Sequence, residues 1–480
     1  MNLRAITRNI ALALLLDAGF MLASAAVAAY YRFDASFSPL LLSGLLTLMV
    51  AILPLVFVSK GQMRITTRDG MLILFFAWLL SCVFGLLPYA LYGGEFTLEN
   101  AWFESASGFT ATGASILQDV ESLPRGLQFW RHSTQFIGGL GVVVFMLIIL
   151  PSSGTVKLRM RRLEVSNISA GDYNFRSNKI VSVVLTVYLI MMLACALLYL
   201  LAGMPLYDAV CHAFSTVATG GFSTRSASLG AYDSRWIELI AMFFMLASSL
   251  HYGQIYSSVA GRNLGIFRNP IVKFFFASIA VGIVLSTISL MLSGTCTEPL
   301  QALWQAAFCV ISAGSSTGLA TADTAAWPAL AVVVLLYFSV QCGCSGSTTG
   351  GLKADRIWLL ARAVKAQVVS TIHPNTVVRV KWGAQSADMG VISSVAAYTL
   401  LYFVIMFVCA AFYAACGMSL SDSLSDSLAL VGNVGPAYGA AGSLGTYADV
   451  PILAKVVMGF EMIVSRLGIY AFFSMFAKRN

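Results

Sequence analysis

The sequence predicts an all-α polytopic membrane protein: four helix–pore loop–helix repeats around a central pore, preceded by two extra N-terminal transmembrane helices. Three observations predict it. Of the 480 residues, 58% are apolar and only 10% charged, with a mean hydropathy of +0.82, whereas a soluble chain carries about a quarter charged residues. Apolar stretches near the roughly 20 residues needed to cross a bilayer recur along the whole chain. Between them lie four short glycine-bearing segments, FTATGAS, TVATGGF, SSTGLA and VGNVGPA, whose glycines Gly113, Gly220, Gly318 and Gly435 are spaced 107, 98 and 117 residues apart.

Taken in order, the spans fall at residues 11–30, 39–58, 70–92, 126–150, 179–202, 236–259, 270–292, 327–340 continuing at 352–369, 387–416 and 452–476, which makes ten crossings. The first lacks a small-residue cleavage site and precedes further spans, so it reads as a retained helix rather than a signal peptide. The first two spans stand apart in residues 1–69, and the other eight form four pairs in residues 70–177, 178–268, 269–384 and 385–480. Each pair brackets one glycine segment in the same order: span, amphipathic stretch, glycine segment, span. The amphipathic stretches, 100–109, 206–216, 300–313 and 422–430, are too short to cross a bilayer. Each begins near an acid or a proline (Glu99, Pro205 with Asp208, Glu298 with Pro299, Asp422), which are helix-start signals. A half-length helix followed by irregular backbone is tolerated at membrane depth only where it lines a cavity. A re-entrant pore helix and loop meets that condition.

Charge fixes the orientation. With the N- and C-termini cytoplasmic, the cytoplasmic segments hold 22 of the 29 Lys and Arg residues, including clusters at 157–179 and 353–381 and the C-terminal Lys478 and Arg479. This positive-inside bias accounts for the net charge of +8 without nucleic acid; the basic loops orient helices and touch anionic lipid. External segments hold 14 of the 21 acids, among them Glu95, Glu99, Glu104, Asp119, Glu121, Asp208, Asp323, Asp422 and Asp426. An acidic outer mouth of this kind concentrates cations. The nine cysteines and four histidines show no metal-ligand spacing, and no nucleophile–base set is visible, so the chain does not read as an enzyme.

The glycine segments align as Ala111-Thr112-Gly113, Ala218-Thr219-Gly220, Ser316-Thr317-Gly318 and Asn433-Val434-Gly435. Glycine admits backbone angles closed to other residues, so successive carbonyls can face inward. Rings of carbonyl oxygens then replace the hydration shell of an ion such as K⁺. No carboxylate lies within these triplets, and none is needed.

The third pair breaks the pattern. Its second span is interrupted by Gly343-Cys344-Ser345-Gly346-Ser347-Thr348-Thr349-Gly350-Gly351, followed closely by Lys353. Glycine costs a helix about 1 kcal/mol per position relative to alanine, so a broken helix is expected here, and at membrane depth it marks a cavity. A passive packing kink is the alternative. The run lacks the Gly-Lys-Ser/Thr order of a phosphate-binding loop. Arg466 lies well inside the last span, where an arginine costs several kcal/mol unless it faces water or a partner. It is expected to project into the aqueous path beneath the glycine segments and oppose a second cation; a structural salt bridge or an interfacial anchor is the alternative.

These motifs together, FESASGFTATGAS, TVATGGFS, SSTG with its preceding helix, and NVGP, resemble the Trk/Ktr/HKT superfamily of potassium transporters over the whole chain. The two extra N-terminal spans point to its bacterial TrkH-type branch, and FWRHSTQFIGGLGVVV, residues 129–144, resembles the helix after that family's first filter. Two positions depart from the pattern: Ala111 stands where a threonine is often found, and Ala437-Tyr438 follow the fourth proline. The resemblance implies K⁺ as the transported ion, a carbonyl selectivity filter, and a gating loop at 343–351 with Lys353 and Arg466. It also implies a homodimer, a cytosolic nucleotide-binding (TrkA-type) regulatory subunit, and residence in the bacterial cytoplasmic membrane. The loops at 157–179 and 353–381 are the expected docking surfaces. The rivals are a symporter coupling K⁺ to H⁺ or Na⁺, for which Asp17 is the candidate acid, a less selective Na⁺/K⁺ conductor, and an intramembrane enzyme.

Overall fold

The computed structural model describes residues 2–58, 66–148, 177–261, 265–374, 379–382 and 385–476. The cluster at 157–176 and the C-terminal Lys478 and Arg479 lie outside the described residues. Two N-terminal helices, α1 (Leu3–Tyr30) and α2 (Phe37–Phe57), form an antiparallel pair. The stripe of α2 that is buried consists of Leu40, Ser43, Gly44, Thr47 and Ala51. Small residues at helical spacing let two helix backbones approach closely, and the remaining faces of α2 expose leucines, Met49 and Phe57 as a lipid-facing surface.

Four repeats follow. The first comprises α3 (Thr67–Gly85), α4 (Leu87–Tyr92), the pore helix α5 (Leu98–Phe109) and α6 (Arg125–Ile148). The second has α7 (Ser177–Leu201), the pore helix α8 (Leu206–Ala218), α9 (Arg235–Ser248) and α10 (Tyr252–Ala260). The third has α11 (Pro270–Leu292), the pore helix α12 (Pro299–Gly314), α13 (Ala329–Gln341) and α14 (Ala354–Ile372). The fourth has α15 (Met389–Ala415), the pore helix α16 (Leu420–Gly432), α17 (Ile452–Leu467) and α18 (Ile469–Phe476). Two-residue strands at Lys381–Trp382 and Gln385–Ser386 pair between the third and fourth repeats.

Helix starts follow local chemistry. Thr66 and Asp69 form a reciprocal capping box at α3, which satisfies two orphan donors. The Ser419 hydroxyl accepts from Asp422 N at α16, and Pro270 and Pro299 open α11 and α12, where a missing N–H costs nothing.

Each pore helix packs on the first helix of its own repeat and on the second helix of the preceding one. Thus α5 meets α3 and α17, α8 meets α7 and α6, α12 meets α11 and α9, and α16 meets α15 and α13. The fourth repeat therefore contacts the first, and the ring closes.

Among the described residues, six helical segments are long and apolar enough to cross a membrane by themselves: α1, α2 and the four first helices of the repeats. Of the four second helices α6 is continuous as expected and the third is interrupted as expected, while two expected as continuous spans are broken. The 236–259 span bends by 101° between α9 and α10, the 327–369 span is broken between α13 and α14, and the 452–476 span breaks at Gly468, whose φ is 88°. These helices surround the axis, where water, loops and ions replace lipid, so uninterrupted apolar helix is not required there.

Candidate functional site

The four pore helices end the same way. Ala111 N donates to Gly108 O (2.9 Å) and Thr112 N to Ser107 O (2.9 Å); Thr219 N to Thr216 O (3.3 Å) and Gly220 N to Ser215 O (2.8 Å); Ser316 N to Ala313 O (2.9 Å) and Thr317 N to Ser312 O (2.9 Å); Asn433 N to Leu430 O (3.1 Å) and Val434 N to Ala429 O (3.0 Å). This is the double bond of a Schellman stop, which turns the chain through a left-handed residue. That residue is not glycine in any repeat: φ is 48° at Ala111, 55° at Thr219, 49° at Ser316 and 50° at Asn433. Each non-glycine residue held there costs about 1–2 kcal/mol. Two positions on, a glycine again has positive φ: 88° at Gly113, 81° at Gly221, 78° at Gly318 and 87° at Gly435.

This geometry corrects the second triplet. Its equivalent residues are Thr219-Gly220-Gly221, one position later than the alignment on Gly220, and Ala218 is the last residue of α8. With two glycines in succession the sequence offers two registers, and the helix stop selects the later one.

The third-position glycines close a ring. A side-chain carbon on Gly113 would collide with the carbonyl oxygen of Gly220, on Gly221 with that of Thr317, on Gly318 with that of Val434, and on Gly435 with that of Thr112. Each repeat's middle carbonyl thus lies against the neighbouring repeat's glycine, all the way round. Asn433 adds a side-chain link, its Nδ2 donating to Thr112 Oγ1 at 2.9 Å.

On one side of the ring the four glycines line a cavity of about 110 Å³. Its lining includes Arg131 and Arg225 and, among the described residues, no carboxylate. The expected acidic mouth is therefore not what meets the ring. Glu104 is buried against Arg131, with Nε to Oε1 at 2.5 Å, and Asp208 is shared by Arg225 at 3.3 Å and Arg125 at 3.6 Å. Arg131 also lies 3.6 Å from the Phe222 ring centroid and donates to Ser223 O at 3.1 Å. Negative potential at the ring comes instead from carbonyls and from four pore-helix C-termini, each carrying about half a negative charge.

The interrupted helix lies on the other side. Its loop is buried apart from the exposed Gly346 and the half-buried Gly351 and docks on the break between α9 and α10: Cys344 N donates to Ser249 O at 2.8 Å and Tyr252 N to Gly346 O at 3.3 Å. His251 caps α10 through Nδ1, accepting from Gly253 N at 3.1 Å, and its ring fills the space where Gly346 would carry a Cβ. The loop then reaches the ring. Thr348 Oγ1 donates to Val217 O at 3.2 Å, Gly350 N donates to Ser316 Oγ at 2.8 Å, and a Cβ on Gly350 would strike Gly432 O. Ser345 N donates to Asp355 Oδ2 at 2.5 Å, Ser347 and Thr349 share a hydroxyl bond of 2.8 Å, and Gly343 O and Val340 O accept from Ala354 N and Leu352 N. Gly351 has φ of 68°. Lys353 Nζ bonds the Thr349 carbonyl and, at 2.9 Å, the Thr349 hydroxyl.

Arg466 on α17 is 6% exposed, and among the described residues all three of its guanidinium nitrogens are without a hydrogen-bond partner. Its electrostatic neighbours include Tyr188, Cys342, Tyr252 and Lys353. Among the described residues no salt bridge holds it: the nearby Glu461 accepts instead from Ser427 Oγ at 2.5 Å and from the Tyr413 hydroxyl. The structure thus brings Arg466, Lys353 and the loop together at the ring. Asp17 stands apart in α1, accepting from Ser81 Oγ at 2.6 Å.

Sequence reasoning missed Ser249, His251, Tyr252 and Gln135. The polar run SSLHYGQ at 248–254 inside an apolar span was a signal for the first three.

The family model for TrkH, described as a cation transport protein, matches residues 40–480. The chain is 34% identical to the Trk system potassium uptake protein TrkH of Halomonas elongata over 413 residues, 85% of each chain. It is 30% identical to the protein of the same name from Escherichia coli K12 over 479 residues, 99% of each. The crystal structure of the potassium transporter TrkH from Vibrio parahaemolyticus superposes with a TM-score of 0.89 at 30% identity, covering 99% of both chains. With the four-repeat architecture and the family match over nearly all of its length, the chain belongs to the TrkH family of cation transport proteins, multi-pass membrane proteins and not enzymes.

Proposed function

We propose that this protein takes up K⁺ through a channel-like pore whose filter is the ring of Ala111-Thr112-Gly113, Thr219-Gly220-Gly221, Ser316-Thr317-Gly318 and Asn433-Val434-Gly435. One observation carries this reading. All four segments have the same left-handed–x–glycine backbone, and each middle carbonyl abuts the next repeat's glycine. Such a ring offers oxygen dipoles at close to hydration strength. The potassium uptake function named for the Halomonas and Escherichia relatives supports it.

The loop 343–351 with Lys353 is the gate, and Arg466 supplies fixed positive charge beside it. Ions enter from the glycine-lined cavity, dehydrate in the ring and leave past the displaced loop. A potential of 100 mV, inside negative, supplies about 2.3 kcal/mol per K⁺, so inward flow needs no coupled ion. The repeats at 70–177, 178–268, 269–384 and 385–480, the cytoplasmic termini, the cytoplasmic membrane of a bacterium, a homodimer and a TrkA-type nucleotide-binding subunit complete the proposal.

Purified protein in liposomes tests it. Rb⁺ or K⁺ uptake should follow an imposed diffusion potential and exceed Na⁺ uptake, with no H⁺ or Na⁺ gradient present. Uptake that requires such a gradient would establish the symporter reading instead.

A further inference from the structure

The middle position of the second segment lacks what the other three have there. Thr112, Thr317 and Val434 are β-branched, whereas the equivalent residue is Gly220. In the first and third segments the threonine hydroxyl is tied to the residue two before it, Thr112 to Thr110 and Thr317 to Ser315, each at 2.7 Å. The middle position of the second segment has no hydroxyl to tie, the Thr219 hydroxyl before it being spent on Ala218 O at 2.6 Å, and the segment contains two consecutive glycines, the least restrained backbone available.

A residue of the preceding repeat takes up the space. Gln135 on α6 is fully buried, and a Cβ built on Gly220 would collide with its amide group. That amide holds the segment by three bonds. Nε2 donates to Gly220 O at 2.5 Å; Oε1 accepts from Ser215 Oγ at 2.5 Å and from Phe222 N at 3.3 Å. Donor and acceptor on one planar group are both used, which neither a carboxylate nor an apolar side chain of similar size can match.

We propose that Gln135 is a specificity-determining positioning residue, supplying from the first repeat the side chain that Gly220 lacks and holding the Gly220 carbonyl in the ring. This rests on the reading of the ring as the ion filter. Losing the clamp frees the Gly220–Gly221 peptide to rotate, so one of four carbonyls in its layer is misplaced while the other three stay. Selectivity then suffers more than throughput.

The test uses the full-length chain in liposomes, with K⁺/Na⁺ permeability read from reversal potentials and folding from thermal denaturation in detergent. Gln135→Leu and Gln135→Glu are each expected to lower the permeability ratio about tenfold, the effect of losing one net hydrogen bond, while ions still pass. Gly220→Thr alone should impair flux through collision with Gln135. Combined with Gln135→Ala, it should bring the ratio back to within about threefold of wild type, because a β-branched side chain is restored in place. A role in stability alone would lower the melting temperature without moving the ratio and without rescue. Unchanged ratios in folded Gln135→Leu and Gln135→Glu overturn the proposal, and so does failure of the double variant to improve on folded Gln135→Ala. A wild-type protein without selective flux overturns the filter reading itself, and is seen before any variant is made.

Discussion

Glu104 and Arg131 are the most deeply buried ion pair among the described residues, at 0% and 2% exposure. Removing one member of such a pair strands the other charge, at a cost of about 3–5 kcal/mol. Glu104→Ala should therefore lower the melting temperature in detergent markedly, and the Glu104→Met, Arg131→Met pair should lower it less. Arg466 is the opposite case, a buried cation with no bonded partner among the described residues. Arg466→Ala should raise Rb⁺ flux severalfold with little loss of folded protein, since no hydrogen bond is broken. Unaltered flux in the reconstituted variant would remove Arg466 from the conduction path. At the ring, Gly318→Ala strains a φ of 78° and meets Val434 O, so Rb⁺ uptake should fall at least tenfold relative to wild type, about 1.4 kcal/mol or more.

In the proposed function, control lies with the interrupted elements. The 343–351 loop is bonded to the α9–α10 break on one side and to Val217 and Ser316 on the other, so it bridges a bent helix and the ring. Gly346→Val puts a branched side chain where the His251 ring lies. It should weaken this docking and raise basal Rb⁺ flux severalfold, measured as valinomycin-independent uptake; a lowered flux would mean that the loop supports conduction instead of blocking it. Much of this was legible in sequence. The glycine run announced the break in the third repeat, and acid and proline signals placed all four pore helices within a few residues. The bend at Ser249–His251 was hidden because the surrounding hydropathy still reads as a span. The register of the second segment was hidden because Gly220-Gly221 satisfies either alignment until the Ser215 carbonyl picks out its partner. Gln135 was invisible because its contacts lie 80 and 85 residues away.

At the scale of the whole molecule, the division of labour among helices follows from what surrounds them. The first helices of the repeats and the N-terminal pair each hold an apolar stretch long enough to cross a bilayer; the second helices surround the axis and are broken or polar. Arg131, His132 and Gln135 on α6 are all buried, and α17 buries Lys455, Glu461 and Arg466. This places the four-repeat pattern beyond local propensity, because each second helix is stable only with its neighbours in place.

That dependence extends to how the chain enters the bilayer during synthesis. The translocon releases a helix into lipid according to its transfer free energy, and a charged residue at the centre of a helix adds about 2.5–3.5 kcal/mol to that transfer. The six apolar segments partition unaided. The helix carrying Arg466 is a poor candidate for release alone and is expected to wait for α15 and α16, whose side chains donate to its Glu461 and cover its polar face. In a reporter fusion, α17 taken by itself should fail to integrate and should integrate when α15 and α16 precede it. The last quarter of the ring would then be completed as one cooperative unit, after the rest of the wall is already in the membrane.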